Sequence, residues 1–210
     1  MTADITGCVL AGGEGRRMNG QDKGLIPYQG RPLADWALQN LATQTSELML
    51  SANRHLPQYQ ALLDAWRTPA ARQAGHAQTW PDDPDLPPRS GPLAGIITAL
   101  RHCPTDWLMV VPCDMPHLPA DLVSRLYTEA RHTQTDIVVP KTQSAGKEAR
   151  FQWVCALIHK RVCPHTEALF VKGERKAGRW VQSSRWSSVA FADDAAFANM
   201  NTLETLHGRA

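Results

Sequence analysis

Apolar positions along this chain come in two patterns that alternate from end to end. "ITGCVLA" (5–11), "ELMLSAN" (47–53), "DWLMVVPCD" (106–114) and "DIVVP" (136–140) are short unbroken runs of the kind that buried strands produce. "FQWVCALIH" (151–159) and "SSVAFAD" (187–193) read as two further strands. Between them the apolar residues recur every three or four positions. Leu33, Trp36, Ala37 and Leu41 in 32–44 and Leu93, Ile96, Ile97 and Leu100 in 92–103 each predict a helix. Shorter helices are expected over 59–66, 119–130, 166–173 and 201–208. The polar, proline-rich 70–90 segment reads as loop, and the polar run 141–150 as a flap or a plain surface loop. Unbroken apolar strands alternating with helices predict one α/β domain over 1–210, its mostly parallel sheet covered by helices on both faces. Ligands of such sheets bind beyond the carboxyl ends of the strands, so the chemistry should lie in the segments that follow them.

Composition narrows the class without naming it. The 210 residues are 43% hydrophobic and 20% charged, and the formal net charge is +2. That balance suits one well-buried domain and gives no reason to expect nucleic-acid or membrane partners. Its start lacks a basic flank before a long apolar core, so no signal peptide is expected, and the protein is assigned to the cytoplasm. Cys8, Cys103, Cys113, Cys155 and Cys163 are odd in number and show no CxxC pairing, which predicts reduced core thiols and no zinc site.

The densest chemistry follows the first predicted strand, in "VLAGGEGRRMNGQDKG" (9–24). The dinucleotide fingerprint G-x-G-x-x-G fails here, because after Gly13 and Gly15 the third position holds Met18. A P-loop fails too, since Gly20 is followed by Gln21 and Asp22 where Lys and Ser or Thr are needed. A third reading is a turn whose amides wrap a triphosphate, and a plain Gly-rich turn with solvated basic residues is the competing one. Gly12 and Gly13 would let the backbone approach, and Arg16, Arg17 and Lys23 would supply charge. A second candidate, Asp114, ends the apolar run "WLMVVPCD", where a hard oxygen ligand suits Mg²⁺, with capping of a following turn as the competing role.

These blocks, in this order, resemble those of the molybdenum cofactor guanylyltransferase family. "LAGGEGRRMNGQDKGL" with "QGRPL" is similar to that family's LAGGxxxRMGGxDKGL and xGxPL. "SANRH" (51–55), "GPLAG" (91–95), "VVPCDMP" (110–116) and "FANMNT" (197–202) continue the likeness across nearly the whole chain. Cytidylyl relatives favour an alanine-rich turn and lack the DKGL run.

The resemblance implies a Rossmann-like nucleotidyltransferase fold, with a nucleotide-binding N-terminal part and a pterin-binding C-terminal part. It implies transfer of GMP from GTP to the terminal phosphate of molybdopterin, with release of pyrophosphate and Mg²⁺ (or Mn²⁺) as cofactor. Transient contact with cofactor-inserting proteins or the recipient molybdoenzyme would follow. The alternatives are a cytidylyl- or sugar-phosphate transferase and a non-enzymatic nucleotide or cofactor binder.

Carried over by position, Leu10, Ala11, Gly12 and Gly13 would contact GTP through their backbone, Arg17 and Lys23 would touch phosphates, and Asp114 would hold the metal. Ser51 stands where the family usually has asparagine, so Ser51 or nearby Asn53 would hold the guanine or ribose. Asp82 and Asp83 both fit the family's nucleotide-binding aspartate. Asp82 is favoured because a carboxylate accepting from guanine N1–H and N2–H₂ prefers G, and turn capping is the competing role. Asn199 and Asn201 match late asparagines near the metal or pterin, although Asn201 with Glu204 also has capping-box spacing. Arg175, with Lys172, Lys176 and Arg179, is a candidate dock for the pterin phosphate or a solvated basic face. Trp153 and Trp180 are candidates for pterin stacking or for core.

Overall fold

The computed structural model describes residues 4–11, 21–66, 78–88, 90–143 and 148–200. Glycines 12 and 13, Arg17 and Asn201 lie outside those residues, as does the helix expected over 201–208.

Among the described residues the strands are, in chain order, β1 (Ile5–Leu10), β2 (Pro27–Tyr28), β3 (Arg31–Pro32), β4 (Glu47–Ser51), β5 (Thr79–Trp80), β6 (Trp107–Pro112), β7 (Ile137–Thr142), β8 (Arg150–Phe151), β9 (Ala156–His159) and β10 (Trp186–Phe191). The helices are α1 (Leu33–Ala42), α2 (Leu56–Trp66), α3 (Pro92–His102), α4 (Leu122–Thr133), α5 (Cys163–Val171) and α6 (Ala177–Gln182). The main sheet runs β10-β7-β9-β6-β1-β4-β5, with β8 added to β7, and β2 and β3 form a separate hairpin. Pairings β1–β4, β1–β6, β4–β5 and β10–β7 are parallel, whereas β9 lies antiparallel between β6 and β7. The expected mostly parallel α/β sheet is therefore present.

Both faces of that sheet are covered, which is why its central strands read as unbroken apolar runs. On one face Ile5, Val9, Met109 and Val111 pack with Leu38 and Leu41 of α1, Leu63 of α2 and Leu126 of α4. On the other, Cys8, Leu108 and Val110 meet Leu93, Ile96 and Ile97 of α3, Phe170 of α5 and Trp180 of α6. Successive strand residues alternate between the two cores, as the pleat requires.

Several boundaries differ from the pattern. The expected strand 151–159 is two pieces, because Gln152 N–H donates to Pro140 O and Cys155 N–H donates back to Gln152 O, closing a turn between them. Helix α4 starts three residues later than its apolar spacing suggests, after a turn in which Leu122 N–H donates to Pro119 O. Helix α6, hidden in a run that reads as solvated basic surface, buries Ala177, Trp180 and Val181 on one side. The two-residue strand β5 exists only through its parallel pairing with β4. The polar 141–150 run is zipped at its ends, with Lys141 opposite Phe151 and Thr142 opposite Arg150.

Candidate active site

The parallel strands β4, β1 and β6 end side by side, and their tails are cross-linked. Ala11 N–H donates to Ser51 O (2.7 Å), and Cys113 N–H donates to Leu10 O (3.0 Å). Leu10, Ala11, Ser51 and Asp114 are thus brought to one edge of the sheet, where the sequence expects a nucleotide. Asp114 stands two residues past β6, so its carboxyl group belongs to the turn rather than to the pleat.

Lys23 reaches this edge from the 3-10 turn Lys23–Leu25, and its ammonium donates to the Asp114 carboxylate. Their side chains are only 19% and 11% exposed, so the pair is sheltered from solvent screening. The turn itself is fixed from below. Tyr59, fully buried on α2, donates its hydroxyl to buried Asp22, the residue before Lys23. Burial, first among the causes, pushes the Tyr59 hydroxyl above its ordinary value, so it remains a donor. Gly24 lies directly on that phenol: a Cβ there would overlap the hydroxyl and come within 3.0 Å of the ring.

From the other side, Met200 N–H donates to the main-chain Asp114 O (2.9 Å), which ties the segment that follows Asn199 to the Asp114 backbone. Asp114 Oδ1 and Asn199 Oδ1 are both buried with no hydrogen-bond donor among the described residues. Two orphaned acceptor oxygens on neighbouring segments are the donor type that a hard cation such as Mg²⁺ takes. No group of three or more His, Cys, Asp or Glu side chains arranged to hold a metal ion occurs among the described residues, so a cation here would rely on few protein ligands.

Farther along the same edge, past β4, Asn53 and Asp82 grip each other. Asn53 Nδ2 donates to Asp82 Oδ2 (2.9 Å), and Asp82 N–H donates to Asn53 Oδ1 (2.8 Å). Desolvation, the largest cause, raises the Asp82 carboxyl above the usual carboxylate range; the Asn53 hydrogen bond opposes it, and neighbouring Asp83 adds to it. Asp83 is otherwise engaged, with its N–H donating to Thr98 Oγ1 (3.0 Å) and its carboxylate on Arg101 and His102. Ser51 is 3% exposed, and its hydroxyl lies under helix α3, 2.8 Å from where a Cβ on Gly95 would sit.

A family model described as the MobA-like NTP transferase domain matches residues 7–189. A relative from Bordetella petrii named molybdenum cofactor guanylyltransferase is 42% identical over 203 residues, covering 97% of this chain and 95% of its own. One of the same name from Cupriavidus metallidurans is 38% identical, covering 97% and 93%. The chain belongs to the molybdenum cofactor guanylyltransferase family. Two solved structures share its fold. Molybdopterin-guanine dinucleotide biosynthesis protein A from Archaeoglobus fulgidus superposes with a TM-score of 0.71 at 22% identity, covering 96% of this chain and 94% of its own. The 4-diphosphocytidyl-2C-methyl-D-erythritol synthase from Anaerococcus prevotii gives 0.73 at 11%, covering 98% and 96%. The Rossmann-like nucleotidyltransferase fold is thereby established.

Within this guanylyltransferase framework the C-terminal candidates separate. Trp180 is fully buried and donates its Nε1–H to Thr166 Oγ1 (2.9 Å), so it is core. Trp153 is half-buried, stacked on Phe151 and edge-on to Trp186. Arg175 donates to Phe170 O and Glu174 O and lies over the Phe170 ring, closing the end of α5. Three residues at the site escaped the sequence reading in their supporting roles: Tyr59, Gly24 and Arg101. Gly24 stands in the Asp-Lys-Gly run at 22–24, and nothing local marks Tyr59. Nothing local marked Arg101.

Proposed function

We propose that this protein transfers GMP from GTP to the terminal phosphate of molybdopterin, forming molybdopterin guanine dinucleotide. An oxygen of the pterin's phosphate attacks the α-phosphorus of GTP, a new P–O–P linkage forms, and the bond to the β-phosphate oxygen breaks as pyrophosphate leaves. Such a transfer is achieved by alignment and charge neutralisation, with little covalent work for the protein. The observation that carries the reading is the convergence of Lys23, Asp114 and the tail of β1 at one sheet edge in a member of this family.

Mg²⁺ bound here would neutralise charge on the triphosphate and the leaving group. Asp114 and Asn199 would hold it, which fits their two orphaned oxygens. Lys23 would then turn its ammonium to the phosphates, joined by Arg17. The backbone of Leu10, Ala11, Gly12 and Gly13 would cradle the triphosphate. The Asn53–Asp82 pair would read guanine through N1–H and N2–H₂, with Ser51 framing that pocket through its backbone. Arg175 and Asn201 would serve the pterin half of the substrate.

Incubation of the protein with labelled GTP or CTP, molybdopterin and Mg²⁺ tests this. The guanine dinucleotide should form, and chelation should stop it. Preference for CTP, or transfer to a sugar phosphate instead of the pterin, would reject the assignment. A non-enzymatic binder would retain biological activity after Asp114→Ala; the transferase should lose it.

A further inference from the structure

Asp82 is held between two anchors. Two residues before it, Trp80 O accepts from Ala52 N–H (2.9 Å), and the Trp80 indole stacks on the His102 ring at a centroid distance of 3.7 Å and 8° between planes. One residue after it, Asp83 is bonded to helix α3 at three points: the Thr98 hydroxyl, His102 Nε2 (3.2 Å) and Arg101 Nη1 (2.9 Å). Arg101 also grips Asp85 through both terminal nitrogens (2.8 and 3.0 Å) and Glu167 of α5 through Nε (2.7 Å). One guanidinium therefore binds three carboxylates from two elements. An isolated surface ion pair contributes little, but here all three nitrogens of a planar fork meet carboxylates and the side chain is only 28% exposed.

That arrangement has a direction. Everything around Asp83 and Asp85 points down onto α3 and α5, leaving Asp82 turned toward Asn53. We propose that Arg101 is a positioning residue for nucleobase selection, acting through Asp83 to hold the Asp82 carboxylate in its base-reading orientation. The inference rests on the guanine-reading role given to Asp82 above, and it adds what makes that role geometrically sharp. A carboxylate selects N1–H and N2–H₂ together only if both oxygens are presented in the base plane, and a loop left free to rock would not do this.

The test compares GTP with inosine triphosphate, which lacks the N2 amino group, across four proteins: unaltered, Asp82→Asn, Arg101→Ala and Arg101→Lys. For Arg101→Ala, KM for GTP should rise on the order of tenfold with kcat changed less than about twofold, the signature of lost substrate binding. The preference for GTP over the inosine analogue should shrink in parallel. Arg101→Lys should recover part of the preference, because one ammonium can replace the contact with Asp83 but not the whole fork. If Asp82→Asn abolishes the preference while Arg101→Ala lowers only the melting temperature, the latch is merely structural and this proposal falls alone. If Asp82→Asn leaves the preference intact, the base-reading assignment falls, and the role of Arg101 goes with it.

Discussion

Lys23 and Asp114, 91 residues apart in sequence, are ion-paired at the carboxyl edge of the sheet. The residue expected to bind phosphate thus holds the residue expected to bind metal. One Asp114 oxygen lies on the Lys23 ammonium, and a nucleotide and cation bound as proposed would have to separate the pair. Lys23→Met should therefore weaken GTP binding and, on the protein without nucleotide, strengthen Mg²⁺ binding by on the order of fivefold, as the competing ammonium disappears. Titration calorimetry with each ligand alone checks both signs. Unchanged Mg²⁺ affinity would remove Asp114 from the metal site. Asp114→Asn should lower kcat at least about a hundredfold, the scale for losing one preorganised charge-stabilising group, with an unaltered circular dichroism spectrum.

Tyr59→Phe removes one oxygen beneath the turn, and should be felt at Lys23. Buried Asp22 would lose the Tyr59 donor, at a cost of about 1–3 kcal/mol. The Lys23 turn would loosen, and KM for GTP should rise. Gly24→Ala should act through the same point by driving a methyl group into the phenol. Thermal melts paired with KM measurements separate the two effects. If both variants melt early but bind GTP normally, the turn does not depend on this support.

If Asp82 reads guanine as proposed, GTP binding should depend on pH through it. Desolvation raises its carboxyl, so the free protein protonates it at a higher pH than an ordinary aspartate. Once protonated, it no longer offers two acceptor oxygens to guanine. GTP affinity should accordingly fall on acidification beginning above the usual carboxylate range, and Asp82→Asn should flatten that part of the profile. The stability effect has the same origin. The contribution of this group is full below its unfolded value and is lost as pH rises through the raised folded value. Asp82→Asn should therefore gain slightly in melting temperature at neutral pH relative to acid. A profile unchanged by the substitution would reject the role.

Cys8, Cys113 and Cys155 are free and buried, and burial pushes each thiol well above its ordinary value. They should resist alkylation in the native protein and react only on unfolding. Cys163, half-buried and raised to about 11, should be alkylated slowly before them. Mass spectrometry of the labelled peptides gives the order. Rapid native labelling of Cys113, next to Asp114, would mean that this edge opens more than the structure shows.

Much of this architecture could be read from the chain. The unbroken runs at β1, β4 and β6 are apolar because both faces of those strands are buried, so their pattern already encodes a doubly covered sheet. Helices α1 and α3 carry their spacing plainly. Segments with weak local signals were harder. β5 has two residues and no pattern of its own, and α6 conceals a three-residue apolar stripe among basic ones. The turn at Gln152–Cys155 lies in an apolar run that periodicity alone joins into one strand.

The sequence by itself determined the family and the fold class, because ordered motifs and burial patterns are properties of the chain's own order. Only the tertiary structure decided that Asp82 pairs with Asn53 while Asp83 is tied to Arg101, and that Lys23 faces Asp114. It also decided that Trp180 is core. These are contacts between residues from 14 or more up to 91 positions apart, as in Trp180 with Thr166 and Lys23 with Asp114. No local propensity specifies them; they form because packing two cores onto one sheet brings those positions together.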